Sequence, residues 1–227
     1  MRVELTARGG MVRHGLLAFL PVLATSLGLA LWLGGAPSDE VFKVVRAAHP
    51  EAVRLLRLLT DWANPFFSVF YGLLFFYAWR TGNRGLMRLV LIYLVVQLAV
   101  SFGLVRVLKI AIGRPRPGVD GLFDSFSLAA GYNAMPSGHC AEFTASILPL
   151  VLWRRSTLLS LTLGLVLALL AFSRVCLGWH HISDTLFAVA LGGWAGAVIY
   201  VYGVAALRPE PGPAVATSEH YAGSGEQ

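Results

Sequence analysis

The sequence predicts an all-α, polytopic membrane protein: six transmembrane helices in a bundle, with an interfacial amphipathic helix between the first and second spans. Three observations lead there. Hydrophobic residues make up 56% of the 227 and charged residues 13%, a balance far outside that of soluble domains. The apolar residues gather into runs of about 20, the length that crosses a hydrocarbon core. Charged residues cluster in the short stretches between the runs. The length suits one helical domain, divided into a cytoplasmic N-terminus (1–14), a membrane domain (15–207) and a tail (208–227) rich in Pro, Ala, Gly and Ser that is expected to be disordered. The net charge of +6 comes without a basic run or basic-aromatic interleaving, so a nucleic-acid partner is not expected. Two cysteines make no spaced-pair metal pattern.

The elements follow in order. Arg2, Arg8 and Arg13 precede an apolar stretch free of charge from Gly15 to Ser38. That is long for a signal peptide, so residues 15–35 are expected to be a retained first span. In residues 38–61, Val41, Val44, Val45, Ala48, Ala52, Leu55, Leu56 and Leu59 recur at helical spacing among mixed charges. This predicts a helix lying along the interface and turning inward at Asn64-Pro65. Residues 65–79 make the second span, closed by Trp79. Residues 89–108 make the third, and Pro115 and Pro117 end it soon after Lys109. A loop over 118–135 leads to the weakest span, 140–153, which contains Glu142 and Pro149. Residues 156–173 and 185–207 are clean fifth and sixth spans.

Crossing by 140–153 decides the topology. If it crosses, Lys109, Arg116, His139, Arg174 and His180 all emerge on one face. Each face then carries nine Lys and Arg, a tie under the positive-inside rule. Three on the second face are assigned below to an anion site, and discounting them places the termini in the cytoplasm and the site outside.

The residues on that face suit phosphate chemistry. Cations at the bilayer edge are costly without an anionic partner, and Arg matches phosphate oxygens as a fork while Lys supplies a point charge. Pro136-Ser137-Gly138-His139 resembles a helix start, whose free amides bind anions; His139 could hand a proton to a leaving oxygen. His180 and Asp184 are four apart on one helical face, so the carboxylate could accept the Nδ1 proton and expose Nε2 as a nucleophile. Taken singly, each fragment has an ordinary structural reading: a helix cap, a helix initiation, snorkelling cations. Their shared face favours a site.

Three blocks then carry a resemblance: Lys109, six residues, Arg116-Pro117; Pro136-Ser137-Gly138-His139; and Ser173-Arg174, five residues, His180, three residues, Asp184. Together they resemble the tripartite signature of the type 2 phosphatidic acid phosphatase superfamily, with every signature position filled. The resemblance implies a metal-free, cofactor-free phosphohydrolase with His180 as nucleophile steadied by Asp184 and His139 as proton donor. It implies that Lys109, Arg116, Ser137, Gly138 and Arg174 hold the phosphate. Within the family's membrane branch the expected substrate is a lipid phosphate, namely undecaprenyl diphosphate, phosphatidylglycerol phosphate or phosphatidate, at the outer face of a bacterial cytoplasmic membrane. A lipid A phosphatase or lipid phosphotransferase is the alternative within the family, and a non-catalytic lipid or anion transporter the alternative outside it. Around these residues, Cys140 and Cys176 are read as buried thiols, with a disulfide as the lesser alternative. Glu142 is either a headgroup-selecting residue or a polar group paired in the bundle. His181 is a neighbour at the interface, Phe123 and Phe126 are anchors or the lining of a lipid entrance, and Arg114 is a spare phosphate contact or part of a polar hinge.

Overall fold

Helix α1 spans Arg2–Leu33, α2 Ser38–Ala48 and α3 Pro50–Arg80. Helix α4 (Arg84–Val96) continues through a π-helical segment, Gln97–Leu104, into α5 (Val105–Ile112), so that residues 84–112 form one rod. After a long loop come α6 (Gly138–Arg154), α7 (Thr157–Cys176) and α8 (Ile182–Gly203). The computed structural model describes residues 2–207, and among these there is no strand. The tail from 208, where disorder is expected, lies outside the described residues.

Four helices are long and apolar enough to cross a membrane: Gly9–Leu33 in α1, the 84–112 rod, α7 and α8. Their outer faces are apolar and exposed, with Leu16, Leu20, Leu23, Leu27 and Leu31 forming one stripe on α1 and Leu91, Leu94, Leu98 and Phe102 another on the rod. α3 carries a similar stripe of Trp62, Phe66, Val69, Leu73 and Phe76. Patches of this extent cannot face water on a stable monomer, and they identify a membrane protein.

The predicted second and fourth spans fall in α3 and α6, which do not reach the same measure. For α6 the reason is its position. It has 17 residues, and most of its side chains are buried by protein rather than exposed to lipid. A helix so enclosed can hold Glu142, Thr144 and Ser146 at no lipid-facing cost, because neighbours satisfy them. Gln97 donates to the Glu142 carbonyl (3.0 Å) and to Ser146 Oγ (2.8 Å), and the Tyr93 hydroxyl lies 3.2 Å from the same Oγ.

Two helix pairs dominate the packing, α6 with α8 and α1 with α7. In the first, Gly192 and Gly196 of α8 lie against Ala141, Ala145 and Leu148 of α6, and a Cβ at either glycine would collide with α6. Small residues four apart let two backbones approach this closely. The contacts advance together along both helices, so α6 and α8 run parallel with their N-termini side by side; the Ser137 amide donates to the Asp184 carbonyl at 3.2 Å. This close crossing places His139 and Asp184 at one end of the bundle.

Three expectations are corrected. The helix breaks at His49-Pro50, not Asn64-Pro65: Pro50 occupies the first turn of α3, where its missing N–H costs nothing, and Pro65 is carried inside the continuous helix. The first helix extends back from residue 15 to Arg2. The third span is longer than 89–108 and contains the π segment. The amphipathic segment is therefore split, and α2 packs Phe42 against Trp32 and Phe172, each at 5.9 Å between ring centroids. Arg46 of α2 pairs with Asp39 (2.7 Å) and donates to the last carbonyl of α7, Cys176 O (2.8 Å). The Asp39 carboxylate lies beneath both Gly118 and Gly178, so α2 straps the loop after α5 to the loop after α7.

Candidate active site

Lys109 sits in the last turn of α5, where its ammonium group donates to the Asn133 carbonyl at 2.5 Å. Gly113 then ends the helix in the left-handed region (φ 56°), and the Asp124 backbone lies where a Cβ would go, so only glycine fits. The chain that follows folds back on itself: Asp124 N donates to Gly113 O, Arg116 N to Gly131 O and Ala134 N to Arg114 O, at 2.8, 2.8 and 3.1 Å. His181 Nε2 lies 3.0 Å from the Pro115 carbonyl, which ties this loop to the segment before α8. Arg116 is thereby held one residue from a direct link to the His180 segment, with its Nε buried and unpartnered.

Ser137 occupies the N-cap position of α6, yet its hydroxyl caps nothing: it is fully buried and its Oγ has no partner. Gly138 follows at the first helical position. A Cβ there would only touch Val105 at 3.7 Å, so protein packing does not demand the glycine. The His139 ring is half-buried and forms no hydrogen bond with the described residues, while its carbonyl accepts from Asn64 Nδ2 at 3.3 Å.

Arg174, on the last turn of α7, is buried with its guanidinium 4.2 Å over the Trp179 ring. Its Nη1 donates to Thr60 Oγ1 at 3.0 Å, its Nη2 lies 3.5 Å from His180 Nε2, and its Nε is unpartnered. The turn between α7 and α8 is fixed by its own backbone, since the Trp179 and His180 amides both donate to the Arg174 carbonyl.

His180 is 1% exposed, and its Nδ1 lies 2.6 Å from the Ala134 carbonyl. A carbonyl only accepts, so the proton resides on Nδ1 and Nε2 keeps its lone pair facing Arg174. Burial pulls this imidazole down to about 4; Asp184 opposes the shift, and Arg174 and Lys109 add to it. The ring is neutral at pH 7. Asp184 was expected to accept the Nδ1 proton, but its Oδ2 is 3.8 Å away, beyond hydrogen-bond length. Its oxygens are taken by Arg114 Nη1 (2.6 Å) and the His181 amide (2.8 Å).

All three sequence blocks thus meet at one end of the bundle. A family model for the PAP2 superfamily matches residues 85–208, which contain every one of them. The chain belongs to the PAP2 superfamily. Searches of curated proteins and of solved structures returned no match. Membership gives the class of activity, a phosphatase associated with the membrane.

Other features of the candidate site carry no signal in the sequence. Ala134 acts through its carbonyl, a group every residue has. Thr60 lies 114 positions from the Arg174 it supports. Trp179 was adjacent to His180 and could have been suspected. Cys140 and Cys176 are free and buried. Of the alternatives for Glu142, the structure has it paired, with Asn64 Nδ2 donating to its Oε2 at 2.9 Å. Leu122, Phe123, Phe126 and Leu128 project from the loop with their surfaces exposed.

Proposed function

We propose that this protein is a metal-independent lipid phosphatase working through a phosphohistidine. The observation that carries the reading is a set of buried donors with nothing to donate to, Arg116 Nε, Arg174 Nε and Ser137 Oγ, gathered at the end of the bundle where the His180 Nε2 lone pair emerges. Buried polar groups are ordinarily satisfied, and a phosphoryl group would satisfy these together.

His180 Nε2 forms a bond to phosphorus as the bond to the lipid oxygen breaks. His139, which burial holds down at about 4 in the free enzyme, takes up a proton beside the phosphoryl anion and gives it to that oxygen. Lys109, Arg116, Arg174, the Ser137 hydroxyl and the Gly138 amide hold the equatorial oxygens as charge shifts across them. The parallel N-termini of α6 and α8 add positive dipole ends at the same place. Water, deprotonated by His139, then displaces His180 from phosphorus and frees phosphate. The free imidazole of His139 and the fixed one of His180 suit these two roles.

For the membrane arrangement, α3 and α6 complete six spans, both termini lie in the cytoplasm, α2 rests in the interface, and the site opens outward from a bacterial cytoplasmic membrane. The exposed apolar residues at 122–128 support a substrate drawn from the leaflet. The partners are the bilayer and a lipid phosphate, with undecaprenyl diphosphate, phosphatidylglycerol phosphate and phosphatidate as the substrates to try. Purified protein in detergent should release phosphate from at least one of them, equally well with a chelator present. Activity lost on chelation, or kept in a His180→Ala variant, would overturn the mechanism.

A further inference from the structure

Asp184 is fully buried, and its short contacts do not go to His180. Arg114 Nη1 donates to its Oδ1 at 2.6 Å and to Ser183 Oγ at 2.7 Å. A buried carboxylate needs a compensating cation, and Arg114 is the one within ion-pair distance among the described residues. The same residue reaches His180 by a second route. The Arg114 carbonyl accepts from the Ala134 amide at 3.1 Å, and the Ala134 carbonyl takes the Nδ1 side of His180 at 2.6 Å. Side chain and main chain of one residue therefore support both groups that face Nδ1.

We propose that Arg114 is a positioning residue: it holds Asp184 off Nδ1, keeps Ala134 on it, and so fixes the direction of the His180 lone pair. This deepens the phosphatase reading and rests on it. The Arg114 Nη1 is committed to Asp184 and Ser183, on the Nδ1 side of the ring, opposite the attacking Nε2. Without Arg114, Asp184 has no cation and its carboxylate turns to the nearest proton, that on Nδ1. The ring is then pulled away from the Ala134 carbonyl, and a small misdirection of an attacking atom costs about 100-fold in rate.

The test compares wild type with Arg114→Gln, Arg114→Lys, Asp184→Asn and the Arg114→Gln/Asp184→Asn pair in detergent, using dioleoyl phosphatidate. Arg114→Gln should lower kcat about 100-fold with KM changed less than about threefold. Arg114→Lys should recover part of the loss, and the pair should be no worse than its poorer member, since the two residues act as one unit. NMR titration of histidine-labelled protein gives an independent readout: in Arg114→Gln the His180 titration should move to higher pH. Arg174, Lys109, His139 and His181, the other ionisable groups around that ring, are unchanged in every variant. Loss of the Arg114 charge raises the titration by itself, and that part persists in the Arg114→Gln/Asp184→Asn pair, so the excess in Arg114→Gln over the pair reports Asp184. A raised KM with kcat intact would make Arg114 a substrate contact and overturn the proposal. So would a lowered kcat with the His180 titration unmoved, which marks a merely structural role. If wild type released no phosphate, the phosphatase reading would fail, while the titration would still decide whether Arg114 restrains Asp184.

Discussion

The two imidazoles of this protein are both pulled down to about 4 by burial, yet they are held in opposite ways at adjacent helix ends. His180 is buried, tied through Nδ1 to a backbone carbonyl and flanked by a guanidinium. His139 is half-buried with a ring that no described residue holds. A group that must attack along one line gains from being fixed, whereas one that must meet a leaving oxygen and later a water gains from latitude. The difference supports the proposed roles in a way the sequence could not, since both histidines simply sit in motifs there.

The largest effect should come from the fixed ring. His180→Ala should reduce phosphate release about 10⁴-fold or more, as loss of a nucleophile does elsewhere. His139→Ala should cost about 10²- to 10⁴-fold on a lipid alkoxide leaving group. On p-nitrophenyl phosphate, whose leaving group needs no proton, bond cleavage should largely recover in His139→Ala but not in His180→Ala. Equal losses on both substrates would erase the contrast between the rings.

Acidity probes the same contrast. Because burial lowers the His180 imidazole to about 4, Nε2 stays unprotonated as pH falls from 7. The acid limb of kcat/KM that belongs to His180 should therefore appear only near pH 4, and a limb near the ordinary histidine value of about 6.5 would show that the ring is not shielded as described. Thr60→Ala should have the smallest effect. Losing one hydrogen bond to the Arg174 guanidinium costs about 1.5 kcal/mol, roughly tenfold in KM, with kcat little changed.

What could be seen in the sequence was what depends on residue type. Apolar runs revealed the spans of α1, the 84–112 rod, α7 and α8, and the three motif blocks revealed the residues that gather at one end. What stayed hidden depends on the backbone and on enclosure. The Asp184 contact was misjudged because four-residue spacing brings it to 3.8 Å from His180, while Ala134 and Arg114, from a loop some 50 to 70 positions earlier, intervene. The turn was placed at Pro65 although proline is tolerated inside a membrane helix. The segment predicted as the fourth span read as weak for the reason that made it central: α6 is surrounded by protein, so its side chains answer to their neighbours.

The central claim is that phosphorus is transferred to His180. Rapid quench of the enzyme with ³²P-labelled substrate, followed by peptide mapping, tests it most directly. The account predicts an alkali-stable, acid-labile label on the peptide bearing His180, absent from His180→Ala and retained by His139→Ala when p-nitrophenyl phosphate is the donor. Label on another residue, or label that persists in His180→Ala, would contradict it.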